Sequence, residues 1–276
     1  MGRFEQLTRR AFVRDLGKGT LAIAVLGVAA CSEGGAGATT AAPDDESGTT
    51  SPPTASQTST TTTIAPATTE PPGSTQPAGD GVAWERVDLG FVSAYLLVRG
   101  AEAAIVDTGV AGSVGAIEQV LASIELSWDE VGHVVLTHLH PDHIGSLGDV
   151  MTAADQALGY AGAEDISAMG ASPRPIEAVG DGDTVFGLEI IETPGHTPGH
   201  ICVLDPIGGL LVAGDALNGG GPGVLGPNAD FTPDMATANE SVKKLADLHF
   251  DTVVFGHGEP MIGGASDLVA SLAGEL

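Results

Sequence analysis

Thr137-His138-Leu139-His140-Pro141-Asp142-His143 places four side chains of the kind that bind metal ions within six consecutive residues. The run follows the apolar stretch 134–136, so it lies where a predicted strand turns into a predicted helix. A single histidine is usually structural, but burying this many imidazoles and carboxylates without a metal or full hydrogen bonding would be costly. Imidazole and carboxylate together suit zinc, iron or manganese. The run therefore predicts a metal site at a strand-to-helix turn.

Four more candidate residues follow other predicted strands. Asp107, His196, Asp215 and His257 each come directly, or within a few residues, after a short apolar run. If these strand ends lie along one edge of packed sheets, a single site collects all of the candidates.

Short apolar runs alternate with helical patterns from Val82 onward, which predicts a layered α/β or α+β domain. We predict strands over 84–87, 93–98, 104–107, 133–137, 188–193, 201–205, 210–214 and 252–256. We predict helices over 113–123, 143–153, 233–248 and 265–272, with glycine and proline between the elements.

Four motifs together resemble the metallo-β-lactamase superfamily in order and spacing, and the likeness covers nearly all of residues 82–276. The motifs are His138-x-His140-x-Asp142-His143, Pro194-Gly195-His196-Thr197-Pro198-Gly199-His200, Gly214-Asp215 and Gly256-His257-Gly258. The resemblance implies an α+β fold, the αββα sandwich, in a single domain over 82–276, with the site at the rim between two sheets.

Carried over residue by residue, the resemblance implies two metal ions. The first would bind His138, His140 and His196, and the second would bind Asp142, His143 and His257. Asp215 would bridge them. We expect two zinc ions per chain, with iron or manganese as alternatives, and a bridging hydroxide that attacks the substrate. Asp142 is also the expected catalytic residue that passes a proton to the leaving group.

Three further residues have expected supporting roles. Asp107 is expected to accept the outward N–H of a ligand imidazole, or else to cap the strand end. His200 is expected to be structural or to support a ligand, and Cys202 to be a small core residue. The glycine-rich segment 218–223 is either a substrate loop or an ordinary long loop.

Differences from known branches of the superfamily narrow the function. Common zinc β-lactamases carry a cysteine where this chain has Asp215, and flavodiiron reductases carry a glutamate where it has His140. Homoserine-lactone hydrolases use a tyrosine after the third histidine, whereas both tyrosines here precede His196. The ligand set is most similar to that of glyoxalase II, but the 19 residues after His257 leave no room for that enzyme's C-terminal helical domain.

We therefore expect a dinuclear zinc hydrolase that acts on an ester, thioester, lactone or similar small neutral substrate. Three alternatives stay open. The first is a persulfide dioxygenase with one iron on His138, His196 and Asp215. The others are a metallo-β-lactamase and a metal-binding lipoprotein without turnover.

The N-terminus predicts export. Arg9-Arg10 followed by the apolar stretch 21–30 resembles a twin-arginine signal, and Val28-Ala29-Ala30-Cys31 resembles a lipobox. We expect residues 1–30 to be cleaved and Cys31 to carry lipid, which would anchor the chain to the outer face of the cytoplasmic membrane. The alternative is an ordinary signal peptide with an incidental cysteine.

Composition separates the remaining chain into a tether and a folded domain. Residues 31–81 consist mainly of Thr, Ser, Pro, Ala and Gly, which predicts a disordered tether, because such a segment buries too little apolar surface to fold. Without residues 1–30, five basic residues face 34 acidic ones. This net charge of −29 excludes nucleic acid as a partner and leaves a small molecule as the expected substrate.

Overall fold

The structure is a computed structural model, and it describes residues 81–221 and 223–276. The predicted export signal, the lipidation site Cys31 and the predicted tether up to residue 80 lie outside the described residues. Among the helices of the described ranges, none combines the length and apolar character needed to cross a membrane.

Fourteen strands and six α-helices form in the described part of the chain. The strands are β1 (Ala83–Asp88), β2 (Ser93–Arg99), β3 (Glu102–Val106), β4 (Val131–Leu136), β5 (Leu158–Gly162), β6 (Ile176–Val179), β7 (Thr184–Val185), β8 (Leu188–Glu192), β9 (Ile201–Asp205), β10 (Leu210–Val212), β11 (Asn218–Gly220), β12 (Gly223–Leu225), β13 (Thr252–Val254) and β14 (Met261–Ile262). The helices are α1 (Val114–Ser123), α2 (Pro141–Ile144), α3 (Leu147–Ala153), α4 (Ala163–Ile166), α5 (Met235–Ala246) and α6 (Ala265–Ala273), and a short 3₁₀ helix spans Trp128–Glu130.

Two six-stranded mixed sheets make up the body of the fold. The first has the order β1-β2-β3-β4-β5-β6, and it is antiparallel up to β3 and parallel from β3 to β6. The second has the order β14-β13-β10-β9-β8-β7, in which only β13 and β10 run parallel. Strands β11 and β12 form a separate hairpin.

Three buried clusters correspond to the three interfaces of a four-layer sandwich. In the first, Ile117 of α1 and Met151 of α3 pack on one face of the first sheet. The second lies between the sheets and joins residues such as Tyr95 and Ile201. In the third, Val242 of α5 and Val269 of α6 pack on the outer face of the second sheet. The order helix, sheet, sheet, helix confirms the predicted αββα sandwich.

The predicted helix 143–153 is wrong in one respect, because the chain forms two helices, α2 and α3, with a break at Gly145 and Ser146. A Cβ on Gly145 would lie 2.5 Å from the Ala111 backbone nitrogen, so the chain passes too close to the loop after β3 for a side chain. Ser146 Oγ donates to Val110 O at 2.6 Å and accepts from Ser113 N at 2.8 Å. The break thus fixes the end of α2, which carries part of the metal-binding motif, against the loop that follows β3.

Candidate metal centre

The predicted ligands meet where strands of both sheets end. β3 and β4 end side by side in the first sheet, where Asp107 N donates to Val135 O at 2.9 Å. Ile201 N of β9 donates to Thr137 O at 2.8 Å, which joins the second sheet to the residue preceding His138. Ala213 N donates to Val254 O at 2.9 Å, so the segments leading to Asp215 and His257 also run together.

One group of possible ligands consists of His138, His140 and His196. His140 Nδ1 lies 3.1 Å from His138 Nε2 and 2.9 Å from His196 Nε2. His138 and His196 are buried, and His140 is half-buried. These three imidazole nitrogens are close enough together to bind one cation.

A second group consists of Asp142, His143 and His257, and Asp215 lies between the two groups. Asp215 Oδ1 is 3.3 Å from His143 Nε2. Asp215 Oδ2 is 3.3 Å from His196 Nε2 and 3.4 Å from His257 Nε2. His257 Nε2 also lies 3.4 Å from Asp142 Oδ2. The structure therefore brings all seven predicted ligands together, with one carboxylate facing both groups.

Two buried atoms of this cluster have no hydrogen-bond partner: His143 Nε2 and Asp215 Oδ1. They approach each other at 3.3 Å, but not in hydrogen-bonding geometry. Leaving such atoms buried and unsatisfied costs about 1–3 kcal/mol each. A cation bound at this point would satisfy both, so the residues present fit a metal.

Four histidines use their outward nitrogen to fix the ring, as ligand histidines commonly do. His138 Nδ1 is 3.0 Å from Thr137 Oγ1, and His196 Nδ1 is 3.0 Å from Thr232 Oγ1. His257 Nδ1 donates to Phe91 O at 2.6 Å. His143 Nδ1 is 2.7 Å from Asp107 Oδ2. In each case Nε2 is left facing the centre.

Asp107 supports both groups. Its Oδ2 faces His143 Nδ1 at 2.7 Å and accepts from Thr137 Oγ1 at 2.8 Å, while its Oδ1 accepts from Thr137 N at 2.8 Å. Because Thr137 Oγ1 also contacts His138, one buried carboxylate orients a histidine of each group. The backbone of Asp107 has a φ of 63°, a left-handed conformation that aspartate and asparagine tolerate better than most residues. β3 therefore ends at Val106, one residue before the predicted strand end.

His200 belongs to neither cation-binding group, because both of its ring nitrogens have other partners. Its Nδ1 lies 2.8 Å from Thr193 Oγ1, and its Nε2 accepts from the Asp215 backbone N–H at 3.1 Å. Complete burial lowers the pKa of His200 to about 3, so the ring is neutral and can accept this bond. His200 thus holds the backbone of Asp215.

Asp165 is a supporting residue that the sequence motifs do not reveal. Its fully buried carboxylate accepts from Leu139 N at 3.1 Å, from Thr197 Oγ1 at 2.6 Å and from Gly199 N at 2.8 Å. Leu139 lies between two ligands, and Thr197 follows His196. Asp165 therefore joins the two loops that carry the first group. No sequence signal marked it, because it belongs to a four-residue helix outside the ligand motifs.

Gly256 is a second position whose role the sequence motifs do not explain. A Cβ there would collide with Asp215 Oδ1 and with the His143 ring, so only glycine lets the chain after β13 pass directly behind these ligands.

Charge is divided unevenly among the histidines. Burial opposes a charge on His143, but Asp107 and Asp215 outweigh burial and raise its pKa to about 10. Hydrogen bonding to Asp142, then to Asp215, raises the pKa of His257 to about 10. Burial instead lowers the pKa of His196 to about 4 and that of His138 well below its usual range. Without metal, the centre therefore holds its positive charge on the second group, beside the two carboxylates.

A cavity of about 560 Å³ opens onto the centre. Its lining residues are Phe91, His140, Pro141, Asp142, Asp215, Asn218, Asn228, Phe231 and His257. Of the glycine-rich segment, Asn218 lines the cavity, and residues 218–220 form β11, which pairs with β12 from Gly223 onward. Gly219 N donates to His257 O at 2.9 Å, which attaches the hairpin to a ligand segment.

Comparison with known proteins identifies the family of this fold and site. Probable metallo-hydrolase YflN of Bacillus subtilis (strain 168) is 32% identical over 201 residues, which cover 58% of this chain and 76% of the relative. The uncharacterized protein YobT of the same organism is 30% identical over 197 residues, 61% of this chain and 83% of YobT.

Solved structures show the same fold. A metallo-β-lactamase family protein of Thermus thermophilus superposes with a TM-score of 0.57 at 25% identity, over 71% of this chain and 79% of its own. TTHA1623, solved in a di-iron-bound form, gives 0.55 at 23% identity, over 73% and 98% of the two chains. Residues 87–257 match the family model described as the metallo-beta-lactamase superfamily. The chain is a member of the metallo-β-lactamase superfamily.

Proposed function

We propose that this chain is a dinuclear metal hydrolase that cleaves an ester, thioester, lactone or related small substrate. One observation carries the proposal: five imidazoles and two carboxylates converge on one centre, and two of their buried atoms, His143 Nε2 and Asp215 Oδ1, have no hydrogen-bond partner among the described residues. Membership of the metallo-β-lactamase superfamily, and similarity to YflN, which is described as a probable metallo-hydrolase, support it.

Each of the two groups would hold one metal ion. His138, His140 and His196 would bind the first, Asp142, His143 and His257 the second, and Asp215 would bridge them, which accounts for all seven side chains. When bound, the two ions would supply Lewis acidity that polarises a carbonyl and lowers the pKa of a water molecule. Zinc suits this set of nitrogen and oxygen ligands, and iron or manganese would suit it too.

Asp142 is the residue best placed to move a proton. Its carboxylate lines the cavity and is 27% exposed, whereas the side chain of Asp215 is 10% exposed. Hydrogen bonding to His257 lowers the pKa of Asp142, so the group is ionised at neutral pH. Its carboxylate can hold a proton taken from the attacking water and release it to the leaving group.

Metal analysis joined to a substrate panel tests the proposal. We expect two metal ions per purified chain and turnover of at least one ester, thioester or lactone. One iron per chain with oxygen uptake on a persulfide would overturn the proposal in favour of a dioxygenase. Turnover of β-lactams alone would assign antibiotic hydrolysis. Bound metal without turnover of any panel member would indicate a non-catalytic metal-binding protein.

The variant His257→Ala tests the second metal. We expect one metal ion to be lost and kcat/KM to fall by more than about 100-fold, since even groups that merely support a ligand are worth about 10- to 100-fold. His249→Ala is the matched control, because His249 is exposed and outside both groups. Full activity of His257→Ala would contradict the two-metal mechanism.

A further inference from the structure

Two exposed aromatic rings line the cavity. Phe91, in the turn between β1 and β2, is 64% exposed, and Phe231, in the loop before α5, is 66% exposed. They are the most exposed large apolar side chains in the described ranges, and both line the same cavity. Large apolar groups exposed together at a concave site mark a surface for an apolar ligand.

Each ring is attached to one of the metal-binding groups. The carbonyl of Phe91 accepts from His257 Nδ1 at 2.6 Å, and the Phe91 ring stacks on His257 with centroids 6.2 Å apart. Phe231 directly precedes Thr232, whose hydroxyl lies 3.0 Å from His196 Nδ1. The contacts that orient His257 and His196 therefore also hold the chain that carries each ring beside the metal-binding groups.

No lysine or arginine of the described residues lines this cavity. The described residues include five lysines and arginines, and each of these side chains has partners outside the cavity. Arg86 pairs with Glu259, Arg99 donates to Phe186 O, Arg174 donates to the carbonyls of Met151, Ala154 and Ala157, Lys243 pairs with Glu240, and Lys244 pairs with Asp181. A carboxylate on the substrate would thus lack a lysine or arginine to pair with.

The remaining polar groups of the cavity wall are neutral. Asn218 and Asn228 line the cavity with amide groups, which hydrogen-bond uncharged carbonyl or hydroxyl groups. Apart from the predicted metal ligands, the cavity wall thus offers a ligand only apolar contacts and hydrogen bonds to neutral groups.

We propose that the cavity selects an uncharged acyl group with an apolar chain, held between Phe91 and Phe231, and discriminates against acyl groups that carry a carboxylate. This inference rests on the proposed function for the reaction itself. In that reaction water adds to the acyl carbon, the bond to the leaving oxygen breaks, and the products are a carboxylic acid and an alcohol.

Two esters of equal length test the selection. 4-Nitrophenyl pentanoate and 4-nitrophenyl hemiglutarate differ only in a terminal carboxylate. We expect the metal-loaded full chain to hydrolyse the pentanoate with a kcat/KM at least about tenfold higher. Equal or reversed values would overturn the inference while leaving the hydrolase proposal intact.

Variants of the rings test the residues named. We expect Phe231→Ala to lower kcat/KM for the pentanoate by about tenfold and for 4-nitrophenyl acetate by less than about threefold, since acetate has no chain to contact the ring. Because the Phe91 ring also stacks on His257, Phe91→Ala is judged by the ratio of the two kcat/KM values, which should shift toward acetate by about tenfold. Ile207→Ala is the control, because Ile207 is 59% exposed but lies outside the cavity. Equal losses with both esters, or no loss with the pentanoate, would contradict the role of the rings.

Binding without turnover separates this inference from the proposed function. N-phenyl-1-naphthylamine and 1-anilinonaphthalene-8-sulfonate share one aromatic skeleton and differ in a sulfonate. We expect the neutral dye to bind at least about tenfold more tightly, and Phe231→Ala to weaken its binding while Ile207→Ala does not. If no ester is hydrolysed, the hydrolase proposal fails. The relative affinity for the two dyes still tests whether the cavity prefers uncharged apolar ligands. Preference for the anionic dye, or binding unaffected by Phe231→Ala, would overturn it.

Discussion

At the scale of single residues, the centre depends on carboxylates that touch histidines rather than substrate. Asp107 is the clearest case, because its two oxygens accept three hydrogen bonds and orient a histidine of each group. The sequence indicated it only through its place after a strand and through the general need of ligand histidines for an outer partner. The left-handed backbone that aims its side chain inward could not be predicted from its neighbours.

Asp107→Asn should weaken metal binding by about 10- to 100-fold. Asparagine tolerates the φ of 63°, so the fold should be kept, but the amide is neutral and has one oxygen to accept the bonds that Asp107 accepts with two. Competition with a chromophoric chelator measures the affinity. Asp155→Asn is the control, since Asp155 is exposed and, within residues 81–221 and 223–276, its side chain accepts a hydrogen bond only from its neighbour Gln156. Equal affinities of the two variants would show that Asp107 does not orient the ligands.

The buried neutral histidines make the metal-free domain sensitive to acid. The pKa values of His196 and His200 are lowered to about 4 and about 3, from 6.5. Below pH 6.5 the unfolded chain therefore binds more protons at these residues than the folded chain does. Their contribution to the free energy of unfolding decreases as the pH is lowered. His143 and His257 act at the other end: their pKa values of about 10 favour folding below pH 6.5, and this contribution is lost as pH rises through 10.

We therefore expect the unfolding free energy of the metal-free protein to fall steadily between pH 6.5 and pH 4, before most carboxylates are protonated. Urea unfolding in the presence of a chelator at a series of pH values measures it. Metal-loaded protein should unfold at higher urea throughout, because the bound ions stabilise the folded state by mass action. A stability that is level from pH 6.5 to pH 4.5 would contradict the assignment of these histidines as neutral.

At the scale of elements, the ligand-bearing strands were predictable and the elements behind them were not. Most of the predicted strands are runs rich in Val, Ile and Leu, which are typical of buried strands, and they end close to a predicted ligand. β5 was missed because Leu158-Gly159-Tyr160-Ala161-Gly162 lacks β-branched residues, although the strand lies inside the first sheet, between β4 and β6. The helix it leads into, α4, is four residues long and gives no periodic signal.

The helix α4 carries Asp165, and the role of this residue can be tested. Asp165→Asn replaces an oxygen acceptor by an amide donor among the Leu139, Thr197 and Gly199 donors, so at least one buried partner loses its bond. We expect the unfolding free energy to fall by about 1–3 kcal/mol. The affinity for the first metal should fall as well, because both loops of the first group lose their common support.

Denaturant unfolding and chelator competition measure these two effects. Glu164→Gln is the matched control, because Glu164 is the exposed neighbour in the same helix. If Asp165→Asn lowers stability but keeps metal affinity at the level of the control, the residue supports the fold and does not position the ligands.

At the scale of the whole molecule, the distribution of charge sets the N-terminus apart from the rest of the chain. The chain carries a formal charge of −26. Five of its ten basic residues lie in the first twenty positions. This asymmetry supports an N-terminal segment with a separate task, and we propose that it directs export and lipidation at Cys31. A lipid would hold the domain at the membrane through the chain 31–81, so the domain itself would need no membrane-binding surface.

Cys31→Ala should move the protein from the membrane fraction to the soluble exported fraction and abolish labelling by a radioactive fatty acid. Cys202→Ala is the matched control: Cys202 is completely buried in β9, and burial raises the pKa of its thiol to about 12, so it should accept no lipid. Replacing Arg9 and Arg10 with lysine should retain the precursor inside the cell, because the arginine pair is the feature that defines a twin-arginine signal. Labelling that persists in Cys31→Ala would show that the lipid, if any, is attached elsewhere. Export that persists with both lysines would assign the segment to the general secretion route instead.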